Sequence, residues 1–287
     1  MLQQITTQDS LDIFLLTCNA KGLTKASYIF YKAKIKDFLD YTKINLLSEV
    51  TTSHIRLYLK HLQDKGLSSH SCHSHARALR AWLNFCVEDG YIPVSPFNKV
   101  SMPKQRKIKP VVLSEVEIKQ CIDACNCLRD KLILLMSLDT GLRASELLDL
   151  NFDSIVDSRI YVKDGKGQKD RIVFIGRKTI LLLAKYRLER HKPDAKDPIF
   201  ISQLGDRLTV SGLMQLYKRL RKATKLTKLT SHTVRRTALT LMLKSGMSLY
   251  HLKEIAGHED IKTLQYYINV DDDLQNSHSK HGVVDNL

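Results

Sequence analysis

Apolar positions in the first third of the chain recur at helical spacing. The stretch 25–41 places Tyr28, Ile35 and Phe38 on one face, with lysines on the others. Serine or threonine precedes several of these stretches, and glycine follows the third and fourth, which are typical start and stop signals. The pattern predicts a domain of four short helices over residues 1–90.

A proline-rich, basic segment follows this helical pattern. Four of the 6 prolines in the chain fall within residues 91–110, and proline blocks the continuation of a helix. The same segment contains the basic run KQRKIK at 104–109. We therefore predict a basic linker over 91–110 that separates two domains.

The helical pattern resumes in the second part of the chain, 111–270, and one β signal interrupts it. Two alternating apolar runs within 159–175 flank the turn sequence DGKG, which predicts a β-hairpin. The sequence PIFI at 198–201 suggests a further short strand. We expect a mainly α fold with a small β-sheet in the second domain, followed by a polar tail, 271–287. Helices are predicted over 128–138, 178–190, 210–222, 233–244, 249–256 and 261–268.

The net charge of the chain indicates what kind of partner it binds. There are 45 Lys+Arg against 30 Asp+Glu, which gives a net charge of +15 and an isoelectric point near 9.5. A basic balance of this size is typical of proteins that neutralise nucleic-acid phosphates. The sequence has no signal-peptide pattern and no apolar run of the ~20 residues that span a bilayer. We expect a cytoplasmic protein that binds nucleic acid and no membrane.

The 6 cysteines form no CxxC pair, so we interpret them as small core residues and not as disulfides. His70, Cys72, His73 and His75 resemble a set of metal ligands. However, no second ligand pair lies at zinc-finger spacing. We interpret this cluster as a polar helix surface that can face DNA, and we expect neither a metal nor a cofactor.

The stretch 231–267 holds the densest set of groups that bind phosphate. His232 and Arg235 are three residues apart, so a helix places them on the same face. A Gly-His pair ending at His258 follows, and Tyr267 lies nine residues further on. Two imidazoles, a guanidinium and a phenol suit a phosphodiester better than a carbonyl or a metal.

Two basic residues further upstream complete the candidate site. Arg143 and Arg235 can hold the non-bridging oxygens of a phosphate and stabilise the charge of its transition state. Tyr267 is a weak nucleophile that needs a nearby base, which His232 or His258 can supply. Lys166, on the predicted hairpin, can give a proton to the leaving oxygen. No carboxylates are spaced for two metal ions, so we predict metal-free phosphoryl transfer.

These motifs together resemble the tyrosine recombinase (phage integrase) family. The resemblance covers roughly 111–270, and the segment 1–90 is similar to the core-binding domain of that family. It therefore implies the DNA breaking-rejoining fold, in a Xer-like form that has no separate arm-site-binding domain. The motifs that carry it are Arg143 in TGLRASEL, Lys166 in DGKGQK, His232-x-x-Arg235, Gly257-His258 and Tyr267.

The resemblance implies an activity and its partners. Tyr267 would attack a scissile phosphate of double-stranded DNA and form a 3′-phosphotyrosyl link, with Lys166 as general acid and His258 hydrogen-bonded to the phosphate. Four identical protomers would exchange strands through a Holliday junction to integrate, excise or resolve mobile DNA elements, with or without accessory factors. The tail 271–287 would dock on a neighbouring protomer.

Three positions depart from the family pattern, and two other functions remain open. Arg236 stands where relatives commonly have His, Ala256 replaces the usual Leu, and Tyr266 is an alternative nucleophile beside Tyr267. A type IB topoisomerase shares the same catalytic residues. A DNA-binding regulator without catalysis is the second alternative.

Overall fold

The computed structural model describes residues 4–105, 111–163 and 170–257, and the chain divides into two compact units, Met1–Ile108 and Lys109–Leu287. Within the described residues no helix is long and apolar enough to cross a membrane. The first unit contains α1 (Thr7–Ala20), α2 (Lys25–Thr42), α3 (Thr52–Asp64) and α4 (Ser69–Glu88). The second contains α5 (Glu115–Asp123), α6 (Leu128–Thr140), α7 (Ala144–Asp149), β1 (Ile155–Val156), β2 (Arg159–Val162), β3 (Arg171–Phe174), α8 (Arg177–Glu189), α9 (Val210–Thr224), α10 (Ser231–Lys244) and α11 (Leu249–Ala256).

Hydroxyl side chains start all four helices of the first unit. Thr6, Thr24, Thr51 and Ser68 each accept a hydrogen bond from a backbone NH in the first turn that would otherwise lack a partner. The apolar faces that follow these caps meet in one core. The largest fully buried side chains of that core are Phe38, Tyr58 and Trp82.

The segment after α4 packs on this core over much of its length. Ile92 and Phe97 are buried within it, and Phe97 lies in a short 3-10 helix, Pro96–Lys99. The guanidinium of Arg56 on α3 donates to the carbonyl oxygen of Lys99 at 2.8 Å. Residues 91–100, for which the prolines suggested a linker, thus belong structurally to the first unit.

One face of α4 differs from the sequence interpretation. We expected the cluster from His70 to His75 to form a polar surface, but Cys72 and His75 are buried. Both lie on the side of α4 that also carries Ala76 and Leu79, since positions three or four apart share a helix face. The described residues hold no group of three or more potential metal ligands.

In the second unit α6 is the central helix and contacts both α8 and α10. It ends where Gly141 adopts a left-handed conformation at φ +60°, a C-cap that glycine adopts without strain. A Cβ at Gly141 would also lie 3.0 Å from the side chain of Leu239 on α10. The glycine therefore ends α6 and lets α10 pack against it.

The strands among the described residues form a three-stranded antiparallel sheet in the order β1-β2-β3. Ile160 on β2 pairs with Val173 on β3, and both side chains are buried. The predicted hairpin strands are thus present, and β1 is an additional strand that sequence reasoning missed. The predicted strand at 198–201 was wrong, because Pro198 and Ile201 make only isolated bridges. The prediction of a mainly α fold with a small sheet is confirmed.

Candidate active site

Arg143 lies at the start of α7, immediately before its first helical residue. Its backbone NH donates to Oε2 of Glu146 at 2.8 Å, and its Nη1 donates to Oε1 of the same carboxylate at 2.8 Å. A side chain three residues into a helix commonly returns to the N-cap in this way. These two hydrogen bonds to Glu146 hold Arg143 in place, and 25% of its side chain remains exposed.

Arg235 approaches the same carboxylate from α10. Its side chain is buried, and it donates to the carbonyl oxygens of Gly141, after α6, and Ala256, at the end of α11, the latter at 2.7 Å. Its Nη1 lies 4.0 Å from Oε2 of Glu146. Arg235 is therefore held at the point where the C-terminal ends of two helices meet.

A third guanidinium comes from Arg171, the first residue of β3. Its Nη1 and Nη2 donate to the two oxygens of Glu146 at 3.0 and 2.7 Å. Its Nε donates to the carbonyl oxygen of Ile255 at 3.0 Å. The side chain is only 7% exposed, so this bidentate ion pair is shielded from water.

The three arginines together cap the C-terminal end of α11. Arg171 binds the carbonyl of Ile255, Arg235 that of Ala256, and Arg143 that of Gly257 at 2.8 Å. The last carbonyls of a helix lack partners within it and carry partial negative charge. The end of α11, which leads directly into residue 258, is therefore held against Arg143 and Arg235.

Gly257 is required by this arrangement. It has φ +59°, in the left-handed region, and a Cβ at this position would lie 3.0 Å from Cζ of Arg171. A side chain would be strained by this positive φ and would press on the buried guanidinium. The glycine of the Gly-His motif thus has a structural role that the sequence alone did not reveal.

The electrostatics of the cluster favour an anion. Burial alone would raise the pKa of Glu146, but hydrogen bonds from Arg171 and from the backbone and guanidinium of Arg143 lower it to about 2. The carboxylate therefore stays ionised. Among the described residues, three guanidinium charges against one carboxylate leave a surplus of two positive charges, and Arg143 is the most exposed of the three arginines.

His232 lies at the start of α10, one helical turn before Arg236. Nη2 of Arg236 lies 3.2 Å from Nε2 of His232. Partial burial, and then the positive charges of Arg236 and Arg235, lower the pKa of His232. The imidazole is thus favoured in its neutral form, which can accept a proton.

Three of the six predicted site residues lie outside the described part of the chain. They are Lys166, His258 and Tyr267, together with the alternative nucleophile Tyr266. Lys163, at the end of the described part of the hairpin, lines a cavity of about 810 Å³ together with Arg143. The described part of the chain thus brings Arg143 and Arg235 together, with His232 on the same helix as Arg235.

Two family models match the chain. The model of the phage integrase SAM-like domain matches residues 11–104, and that of the phage integrase family matches residues 111–273. The second match covers more than half of the chain. This chain belongs to the phage integrase family.

Individual relatives agree with this family. The tyrosine recombinase XerA of Saccharolobus solfataricus is 31% identical over 290 residues, which cover 95% of this chain and 92% of that protein. The tyrosine recombinase XerD of Oceanobacillus iheyensis is 29% identical over 274 residues, covering 90% and 92%. The phage integrase family member described here is therefore a tyrosine-type site-specific DNA recombinase, an enzyme that cleaves and rejoins DNA.

A solved structure of an integrase has a similar fold. A crystal structure of a lambda integrase tetramer bound to a Holliday junction has a TM-score of 0.74 and 19% sequence identity, over 89% of this chain and 78% of that chain. At this identity the similarity supports the fold alone. It agrees with the mainly helical architecture and the small antiparallel sheet.

Proposed function

We propose that the enzyme cleaves DNA through Tyr267, which forms a 3′-phosphotyrosyl link, and that it exchanges strands through a Holliday junction. The observation that carries this proposal is the cluster of Arg143, Arg171 and Arg235 at the end of α11. Arg143 binds the carbonyl of Gly257, and His258 follows Gly257 in the chain. The positive surplus thus lies where the described residues end at Gly257, which supports the proposal that Tyr267, ten residues further along the chain, acts at this cluster.

In this mechanism the positive groups stabilise charge on the phosphate. Arg143 and Arg235 bind the non-bridging oxygens, and removal of one such donor typically costs about 10²–10³-fold in rate. Neutral His232 assists proton transfer from the phenol of Tyr267. Lys166 protonates the departing 5′ oxygen, and His258 donates a hydrogen bond to the phosphate. No metal or other cofactor takes part.

The partner is double-stranded DNA that carries recombination sites. A lambda integrase of similar fold assembles as a tetramer on a Holliday junction, and we propose the same stoichiometry here, with or without accessory DNA-bending factors. The unit with α1 to α4 forms one side of a clamp on the duplex, 111–270 the catalytic side, and 271–287 docks on a neighbouring protomer. A protein with this substrate works where the DNA of the cell lies, so we expect it in the cytoplasm.

The test uses DNA that flanks the protein's own gene. Footprinting of this DNA with the purified protein identifies the bound site, and a nicked duplex of that site traps the covalent intermediate. Wild type and Tyr266→Phe should form an adduct that resists denaturation, and Tyr267→Phe should form none. An adduct formed by Tyr267→Phe would reject the assignment of the nucleophile.

A second assay separates recombination from the other activities. Relaxation of supercoiled plasmid that lacks the site, by a monomer, would favour a type IB topoisomerase. Site-specific binding without cleavage would favour a DNA-binding regulator. Strand exchange between two copies of the site is the result that the proposed function predicts.

A further inference from the structure

Arg171 is the member of the cluster whose role the proposed mechanism leaves open. Its Nε donates to the carbonyl oxygen of Ile255, and its Nη1 and Nη2 donate to the two oxygens of Glu146. All three guanidinium nitrogens of Arg171 are thus engaged within the protein, whereas 25% of the side chain of Arg143 is exposed. Arg171 begins β3, which follows the segment that carries Lys166 in the sequence. Its contacts therefore also link that strand to the end of α11.

The hydrogen bonds of Glu146 are shared between two arginines. Oε1 accepts hydrogen bonds from Nη1 of Arg143 and Nη1 of Arg171. Oε2 accepts hydrogen bonds from the backbone NH of Arg143 and from Nη2 of Arg171. Arg171 takes both oxygens in bidentate geometry. Arg143 is left with one guanidinium bond to the carboxylate, and its Nη2 is directed to Gly257.

If Arg143 were the main partner of the buried carboxylate of Glu146, the hydrogen bonds between the two side chains would change. Arginine and carboxylate prefer a bidentate pair with two parallel hydrogen bonds. If Arg171 were absent, Glu146 would draw both terminal nitrogens of Arg143 toward itself. Those nitrogens would then be withdrawn from a phosphate, and the surplus positive charge of the cluster would fall from two to one.

We propose that Arg171 is a positioning residue that saturates Glu146 and thereby keeps the guanidinium of Arg143 available for the scissile phosphate. This inference deepens the proposed function and rests on it. Arg171 acts through Glu146 and the end of α11 without touching the DNA. Its effect is therefore on the chemical step and not on the affinity for the duplex.

A double-variant experiment tests this role. The variants are Arg171→Met, Glu146→Gln, the two combined, and Arg171→Lys, with Arg159→Met as a control that removes an exposed arginine from the same sheet. For each protein, gel-shift titration measures binding to the intact site. Single-turnover reactions on the nicked duplex measure the rate of adduct formation, and thermal unfolding checks the fold.

We expect Arg171→Met to bind DNA within about threefold of wild type and to form adduct about 100-fold more slowly, the scale for the loss of one transition-state donor. Adding Glu146→Gln removes the competing charge but keeps an acceptor for the backbone of Arg143. The double variant should therefore recover at least about tenfold over Arg171→Met. Arg171→Lys should be intermediate, because lysine restores the charge but not the bidentate geometry.

Other outcomes would overturn the inference. A double variant that is folded and no faster than Arg171→Met would show that Arg171 is only structural, as would equal losses of binding and rate. If Arg171→Met does not fold, Arg171→Lys with and without Glu146→Gln gives the same comparison. If wild type cleaves and the rescue fails, this inference alone is rejected; if wild type forms no adduct, the proposed function is rejected with it.

Discussion

Each unit of the chain contains a hydrogen-bonded cluster of polar side chains, and the two clusters differ in their balance of positive and negative charge. In the first unit Lys34 and Asp37 on α2, Tyr58 on α3 and His75 on α4 form a hydrogen-bonded chain. In the second unit three arginines surround Glu146. The hydrogen bonds of the first cluster are made among its own members, whereas the second cluster has an excess of positive charge.

The hydrogen bonds of the first cluster have one consistent direction. Nζ of Lys34 donates to Nε2 of His75 at 2.8 Å, which assigns the ring proton to Nδ1. Nδ1 then donates to the hydroxyl of Tyr58 at 2.6 Å, and that hydroxyl donates to Asp37 at 2.6 Å. Burial, followed by the charge of Lys34, lowers the pKa of His75 and so favours the neutral ring that this chain needs.

The comparison separates structural polar clusters from binding sites. In the first cluster Lys34, His75 and Tyr58 each donate to the next group, and three helices are joined as a result. In the second, one carboxylate serves three cations, and the most exposed cation, Arg143, has hydrogen-bonding capacity for a ligand. A buried surplus of positive charge is costly without an anion, and we interpret that surplus as the mark of the phosphate site.

The largest expected effect is the loss of catalysis in Arg235→Gln. This change removes one of the two proposed phosphate ligands, so adduct formation on the nicked duplex should fall about 10²–10³-fold. His75→Gln, in the balanced cluster, should leave the rate of adduct formation by bound protein unchanged. Equal losses for the two variants would remove the functional distinction between the clusters.

Tyr58→Phe tests the structural role of the first cluster. The change leaves the buried Nδ1–H of His75 without its acceptor, which should cost about 1–3 kcal/mol of stability. Urea denaturation followed by the fluorescence of Trp82, the single tryptophan of the chain and a core residue of this unit, measures the effect. An unchanged midpoint would show that the hydrogen-bonded chain contributes nothing to the fold.

The stability of the second unit should depend on pH through Glu146. Its pKa falls from 4.5 to about 2 on folding, so its stabilising contribution is present above pH ~4.5 and is lost as the pH falls toward 2. Wild type should therefore lose more stability than Glu146→Gln between about pH 6 and about pH 3. If wild type and Glu146→Gln lost equal stability over this pH range in denaturation experiments, Glu146 would not be stabilised as a carboxylate by the arginines.

The smallest expected effect concerns the edge of the site. Arg236 lowers the pKa of His232, so Arg236→Gln should raise it and move the acid limb of the pH–rate profile upward by less than about one unit. The rate of adduct formation measured across pH provides the profile. A shift in the opposite direction would show that His232 does not act as a base.

The fold was largely predictable because its signals are local. Ser114 and Glu117, three residues apart, form a capping box, and α6 ends at Thr140, two residues beyond the predicted range 128–138. The buried face of α4 was also readable, because Cys72 and Ala76 are four positions apart. β1, by contrast, has only two residues, too few to produce an alternating pattern.

The site was predictable where its residues share a helix and not where partners are distant in sequence. His232 and Arg235 follow from their spacing, but Arg171 binds Glu146 and Ile255, which belong to two other elements. One signal was available for Arg171. It lies two residues before buried Val173, so alternation along β3 places a charged residue on the inner face of the sheet.

We propose that this cluster of arginines serves Tyr267 as the nucleophile. The residue that carries DNA in the trapped adduct can be identified by nuclease trimming, proteolysis and mass spectrometry of the nucleotide-bearing peptide. We expect a nucleotide attached through phosphate to Tyr267. A nucleotide on Tyr266, or on any residue other than Tyr267, would contradict it.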